Sequence, residues 1–99
     1  MEERELTVLA RFRAKAGKEA EVRRAITSLI PPTRAEEGCV NYDLHRAQDD
    51  PALFFLYETW RCRQDLDDHL AMPYLRAFLE KVPELLAEPV HISFWDMLC

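Results

Sequence analysis

The chain has 99 residues, 48% of them hydrophobic and 31% charged, with a formal net charge of −5. That length suits one domain, expected over residues 1–99, whose margin of stability is thin enough for a symmetric partner to help. The acidic balance, with Lys and Arg scattered among carboxylates, argues against nucleic acid as a partner. No stretch approaches the roughly 20 apolar residues of a membrane crossing, the longest run being "ALFFLY".

The acidic start "MEERE" has no signal-peptide character. The strand signal "ELTVLARFR" follows, with Leu6, Val8, Ala10 and Phe12 alternating with Thr7, Leu9, Arg11 and Arg13. The group Arg11, Arg13, Lys15 and Lys18 reads as a solvated strand end. "KAGKEAEVRRAITSLI" is helical, its stripe formed by Val22, Ile26, Leu29 and Ile30, and Pro31–Pro32 is expected to end or kink it.

Gly38 opens a second strand, "CVNYDLHRA", in which Val40, Tyr42 and Leu44 are expected to share a face. "QDDPA" is turn chemistry, and "LFFLYETW" makes a third strand that is apolar on both faces except at Glu58 and Thr59. Two helical pieces follow, the first from about Arg63 to Ala71. The second starts near Pro73 and turns Leu75, Phe78, Leu79 and Val82 inward. "VHISFWDML" closes the order as a last strand, with Ile92 and Phe94 opposite His91, Ser93, Trp95 and Met97.

This order predicts an α+β fold of the ferredoxin-like βαββαβ plan, an antiparallel sheet with helices on one face. The other face keeps Leu9, Phe55 and Tyr57, too much apolar surface for a solvated face, which predicts a homodimer packed sheet to sheet.

With only two glycines the chain has no phosphate loop or dinucleotide fingerprint, and it contains neither G-x-S-x-G nor HExxH. His45, His69 and His91 fall on three elements without ligand spacing, so no metal is expected. Cys39, Cys62 and Cys99 are an odd number without CxxC spacing, which suits reduced thiols in a cytoplasm.

Within "YETWRCRQDLDDHL", Asp65 and His69 are helical neighbours at i and i+4. Asp65 serves either as the partner of the imidazole or, from the spacing Cys62-x-x-Asp65, as part of a capping box. Asp67 and Asp68 read as solvated acids near the helix start. His69 stands beside Leu66 at the edge of the apolar stripe, as a proton carrier or as a core residue. Glu58 and Trp60 share a strand face with Phe54 and Leu56, so Glu58 must be paired with an arginine, protonated or lining a cavity.

"LTVLARFRAKAGKEAEV", "RAEEGCVNYDLH", "FLYETW" and "DLDDHLAMPYLRAF", in this order, resemble the antibiotic biosynthesis monooxygenase (ABM) family, and most closely its small quinol-monooxygenase-type members. The resemblance implies a dimeric α/β-barrel-type assembly and oxidation of a small aromatic, quinol- or phenol-like substrate by molecular oxygen without metal, flavin or haem. An electron-rich phenol, once deprotonated, can reduce oxygen directly, so the protein has only to supply a pocket, a base and orientation.

Anthrone-oxidising members carry an asparagine and a tyrosine where Leu56 and Leu66 stand, and haem-degrading members an asparagine and a histidine where Ala10 and Leu79 stand, so neither reaction is expected. The quinol-type pattern HL-x-x-PH is met at His69, with Tyr74 in place of its second histidine. On this resemblance His69 is the proton acceptor, Glu58 tunes or relays, and Trp60, Tyr74, Phe54 and Phe78 form the aromatic pocket. An isomerase of a small enolisable metabolite and a non-catalytic, ligand-binding or stress-response dimer are the other readings.

Overall fold

Alternation in "LTVLARFR" makes β1 (Leu6–Arg13) a two-faced strand in the computed structural model, which describes residues 4–99. Val8, Ala10 and Phe12 are buried on one face, while Leu9 and Arg11 stand on the other. The remaining elements are α1 (Glu19–Arg34), β2 (Cys39–Arg46), β3 (Leu53–Trp60), α2 (Arg63–Leu70), α3 (Pro73–Leu85) and β4 (His91–Trp95). The strands form one antiparallel sheet in the order β2-β3-β1-β4, the ferredoxin-like arrangement.

Helix α1 lays Val22, Ile26 and Leu29 on the sheet, each at most 3% exposed. Burying each such side chain contributes roughly 1.5–3 kcal/mol. The helix does not stop at Pro31–Pro32 but runs on to Arg34. The two prolines forfeit hydrogen bonds to the carbonyls of Thr27 and Ser28, which lie on exposed positions where water can solvate them. The turn after them is anchored by fully buried Thr33 and by Arg34, whose guanidinium donates to the Tyr42 carbonyl (3.1 Å) and to Asp43 (3.0 Å).

Strand β2 also departs from simple alternation. Its pairing with β3 slips between Cys39 and Asn41, so Cys39 faces Trp60, Tyr42 faces Glu58 and Leu44 faces Leu56. Val40 is the extra residue and is 52% exposed, which takes it off the face it was expected to share with Tyr42 and Leu44. Strand β4 ends at Trp95 rather than continuing through Met97. Its Ile92 and Phe94 lie opposite Ala10 and Val8 on the helix-covered side, at an edge that no helix fully roofs.

Among the described residues, no helix covers the opposite side of the sheet. Leu9, Phe55, Tyr57 and Trp95 stand there, with the His45 ring stacked on Phe55 at 4.7 Å. No helix among the described residues is long and apolar enough to cross a membrane.

Candidate active site

A cavity of about 90 Å³ opens between the helix-covered side of the sheet and the helices α2 and α3. Val8, Ala10 and Phe12 of β1 form its floor with Leu56 of β3. Leu66 of α2 and Leu75 and Phe78 of α3 form the roof. Leu70, Leu79, Ile92 and Phe94 line it too, each about 40–50% exposed, and so make its mouth. Outside the mouth the Arg63 guanidinium lies 4.8 Å from the Phe94 ring centre and pairs with Asp67. Three residues bring polar groups to this apolar space: Tyr42, Glu58 and His69.

Period-2 alternation in β3 delivers Glu58 inward between Leu56 and Trp60, and it is only 5% exposed. No arginine meets it. Its Oε1 instead accepts a hydrogen bond from Trp60 Nε1 at 2.9 Å. Burial pushes the carboxyl up to about 7; the Trp60 bond opposes that rise and the Glu36 charge adds to it. Near neutrality Glu58 therefore exchanges between a proton donor and a proton acceptor. The Tyr42 phenol, 1% exposed, is driven far above its ordinary value by burial and by the Glu58 charge, so it stays protonated.

His69 is presented by the last turn of α2 and is 2% exposed. Its ring lies 4.7 Å from that of Trp60 and 5.5 Å from that of Tyr42. The carboxylate beside it is not Asp65. The Arg61 guanidinium claims Asp65 through two bonds, Nε at 2.8 Å and the terminal nitrogen at 3.2 Å, and the Cys62 thiol also points to it. Cys62 makes no side-chain cap, so the capping box is not formed either.

His69 Nδ1 lies 2.8 Å from Oε2 of Glu36, a residue in the turn between α1 and β2. The same oxygen accepts a hydrogen bond from the Tyr74 hydroxyl, which in turn accepts from Thr33 Oγ1 at 3.4 Å. Burial and the bond to Glu36 push the Tyr74 phenol up to about 12, so it remains a donor. With Nδ1 engaged, Nε2 is the ring nitrogen left for a ligand.

Glu58, His69 and Phe78 thus meet at the cavity, whereas Trp60, Tyr74 and Phe54 do not line it. Trp60 is fully buried behind Glu58 and His69 and touches both. Tyr74 reaches His69 through Glu36, and Phe54 sits in the core opposite Phe12. Glu36 carries no sequence signal that ties it to His69, because it lies in a charged turn 33 residues away. Leu29, part of the apolar stripe of α1, also lines the cavity, as does Val90, which carries no signal in the sequence. Among the described residues, no three His, Cys, Asp or Glu side chains converge as a metal-ligand group.

Comparison with known proteins places this architecture. The Synechocystis protein sll1783, named without a function, is 33% identical over 92 residues; the match spans 93% of this chain but only 63% of that protein. Rv0793 of Mycobacterium tuberculosis, named provisionally as a monooxygenase, is 36% identical over 88 residues, 89% of this chain and 86% of that protein. The crystal structure of PA3566 from Pseudomonas aeruginosa superposes with a TM-score of 0.94 at 31% identity, covering 100% of this chain and 99% of the other. The family model for antibiotic biosynthesis monooxygenases matches residues 6–81, and the chain belongs to that family.

Proposed function

We propose that the protein is a cofactor-independent monooxygenase or quinol oxidase that uses molecular oxygen on a small, uncharged, single-ring phenol or quinol. The observation that carries this reading is the pairing of His69 and Glu58 at one apolar cavity, with His69 Nδ1 engaged by Glu36 and Nε2 left for substrate. A cavity of roughly 150 Å³ holds a benzene ring, so at about 90 Å³ this one needs its mouth side chains to swing aside even for one ring. Fused polycyclic substrates fit less well. No Lys or Arg lines the cavity, and Arg63 and Arg76 stay outside it, so phosphorylated or carboxylated substrates lack a counter-charge.

His69 Nε2 accepts the proton of a substrate hydroxyl, and the resulting anion passes one electron to dioxygen. Recombination at a ring carbon and loss of water convert quinol plus dioxygen into hydroxyquinone plus water. In the oxidase course a second electron and proton follow instead, giving quinone and hydrogen peroxide. Glu58 in its protonated form supplies a proton to the reduced oxygen, and the apolar walls exclude bulk water.

The uncovered sheet face, with Phe55 36%, Tyr57 40% and Trp95 53% exposed, supports a homodimer joined through that face. Three free cysteines, two of them half-buried, suit a cytoplasmic setting, and residues 1–99 are read as one domain. An isomerase moving a proton on an uncharged enolisable compound draws on the same two proton carriers and is the second reading.

Oxygen uptake by chelator-treated protein over a panel of single-ring quinols, measured against autoxidation and against His69→Ala, tests the proposal. Saturable uptake that disappears in the variant is the expected result. Uptake that survives the substitution removes His69 from the mechanism. No uptake above autoxidation on any compound overturns the oxygenase reading in favour of isomerisation or binding.

A further inference from the structure

We propose that Glu36 is the positioning residue of the site, holding His69 in the tautomer that carries its proton on Nδ1 so that Nε2 enters the cavity as a bare acceptor, and that Tyr74 holds Glu36 in that place. The inference rests on the role given to His69 above, but its geometry stands apart from any substrate.

Two contacts converge on one atom, and a third holds the second of them. Glu36 Oε2 is 2.8 Å from His69 Nδ1 and also accepts from the Tyr74 hydroxyl, which is itself bonded to Thr33. A phenol has one proton to give. The Tyr74 proton goes to Oε2, so that oxygen is an acceptor in this contact. A carboxylate accepting from two donors leaves Nδ1 as the second donor, and a neutral imidazole can carry only one proton. Nε2 is then unprotonated.

The pair is also shielded, with side-chain exposure of 2% for His69 and 10% for Glu36, so water competes poorly for either partner. Imidazoles that act as bases are commonly oriented this way by a carboxylate, which fixes the tautomer, aims the ring and stabilises the imidazolium formed when the other nitrogen is protonated.

The three positions come from separate elements. Glu36 is in the turn after α1, His69 ends α2 and Tyr74 begins α3. The aim of the His69 ring is therefore set by how α1 and α3 pack, rather than by α2 alone. Thr33, fully buried in the last turn of α1, ties that turn to Tyr74. The helix has to continue past Pro31 and Pro32 for Thr33 and Glu36 to arrive where they do.

The other ionisable carboxyl lining the cavity with His69 is Glu58, and both residues touch the Trp60 indole behind them. Glu58 does not contact Nδ1, so removing it leaves the tautomer in place.

The test is long-range proton–nitrogen correlation NMR on the ¹⁵N-labelled full chain without substrate, at a pH where His69 is neutral. The wild-type protein is expected to show a protonated Nδ1 and a bare Nε2 at His69. Glu36→Gln is expected to release the ring toward the Nε2-protonated form, which free imidazoles prefer in water, while Glu36→Asp retains part of the wild-type state. Tyr74→Phe is expected to preserve the tautomer but to broaden the His69 signals, since Glu36 loses its second tether. Unchanged His45 and His91 signals show that each variant is folded, and Glu58→Gln serves as the control that moves nothing at Nδ1. If quinol oxidation is found, Glu36→Gln lowers kcat roughly 10²- to 10⁴-fold with little change in KM. An Nε2-protonated His69 in the wild type, or a tautomer unmoved in folded Glu36→Gln, overturns the inference. The expected tautomer in a protein that oxidises no quinol upholds it while removing the oxygenase reading.

Discussion

Glu58→Gln separates the charge of the buried carboxyl from its shape. Gln keeps an oxygen for Trp60 Nε1 and nearly the same volume, but it cannot ionise. In the folded protein the Glu58 carboxyl is pushed from 4.5 up to about 7, chiefly by burial. The folded state therefore holds the proton more tightly than the unfolded chain, and the resulting stabilisation is present in full below pH 4.5. It is lost as pH rises through about 7, where the folded protein must ionise a buried group. At about 1.4 kcal/mol for each pH unit between folded and unfolded values, the loss is roughly 3 kcal/mol.

Urea unfolding followed by tryptophan fluorescence, at one protein concentration from pH 4 to pH 8.5, reads the effect, because Trp60 is buried in the folded state. The variant should match the wild type near pH 4 and exceed it by roughly 3 kcal/mol near pH 8. Taking the difference between the two proteins cancels the titrating groups that do not sense the Glu58 charge. A difference that stays flat within about 0.5 kcal/mol across this range would refute the account of Glu58 as a desolvated, titrating carboxyl.

Three further outcomes follow from particular contacts. A methyl group added at buried Gly38 would overlap the side chain of Asp65, which is held by Arg61 and Cys62, so Gly38→Ala should cost about 1–3 kcal/mol in urea unfolding. The double variant Gly38→Ala with Asp65→Ala should recover part of that loss, and an unperturbed single variant would contradict the packing. Burial and the nearby Glu36 and Glu58 charges push the Cys39 thiol up to about 11, so iodoacetamide at pH 8 should modify exposed Cys99 well before Cys39, as read by peptide mass spectrometry. Phe55→Lys on the open sheet face should weaken the proposed dimer at least roughly tenfold in analytical ultracentrifugation; an unchanged assembly would exclude that face as the contact.

The elements that could be read from the sequence are those whose side chains repeat. Val22, Ile26 and Leu29 mark α1 and the alternation in β1 and β3 marks two strands, because burial on one side imposes a period. Period also brings Glu58 and His69 to the covered side of the sheet, which is why both could be found. Where a single residue breaks a pattern, the outcome depends on neighbours far along the chain. The helix passes through Pro31–Pro32 because Thr33 has a buried seat beyond them, and Val40 leaves its expected face because β2 slips against β3.

The partner of His69 belongs to this second kind. Local spacing offers Asp65, one helical turn away, but Arg61 stands one turn before Asp65 and binds it through two nitrogens. Once that carboxylate is taken, the imidazole is free for a group that only the fold can supply. Glu36 arrives from a turn with no periodicity of its own, carried by α1, and Tyr74 fixes it from α3. The setting of the His69 ring is therefore a tertiary property built on a local one. The helical stripe decides that the ring goes inward, and because Arg61 holds Asp65 the ring's Nδ1 meets Glu36 instead.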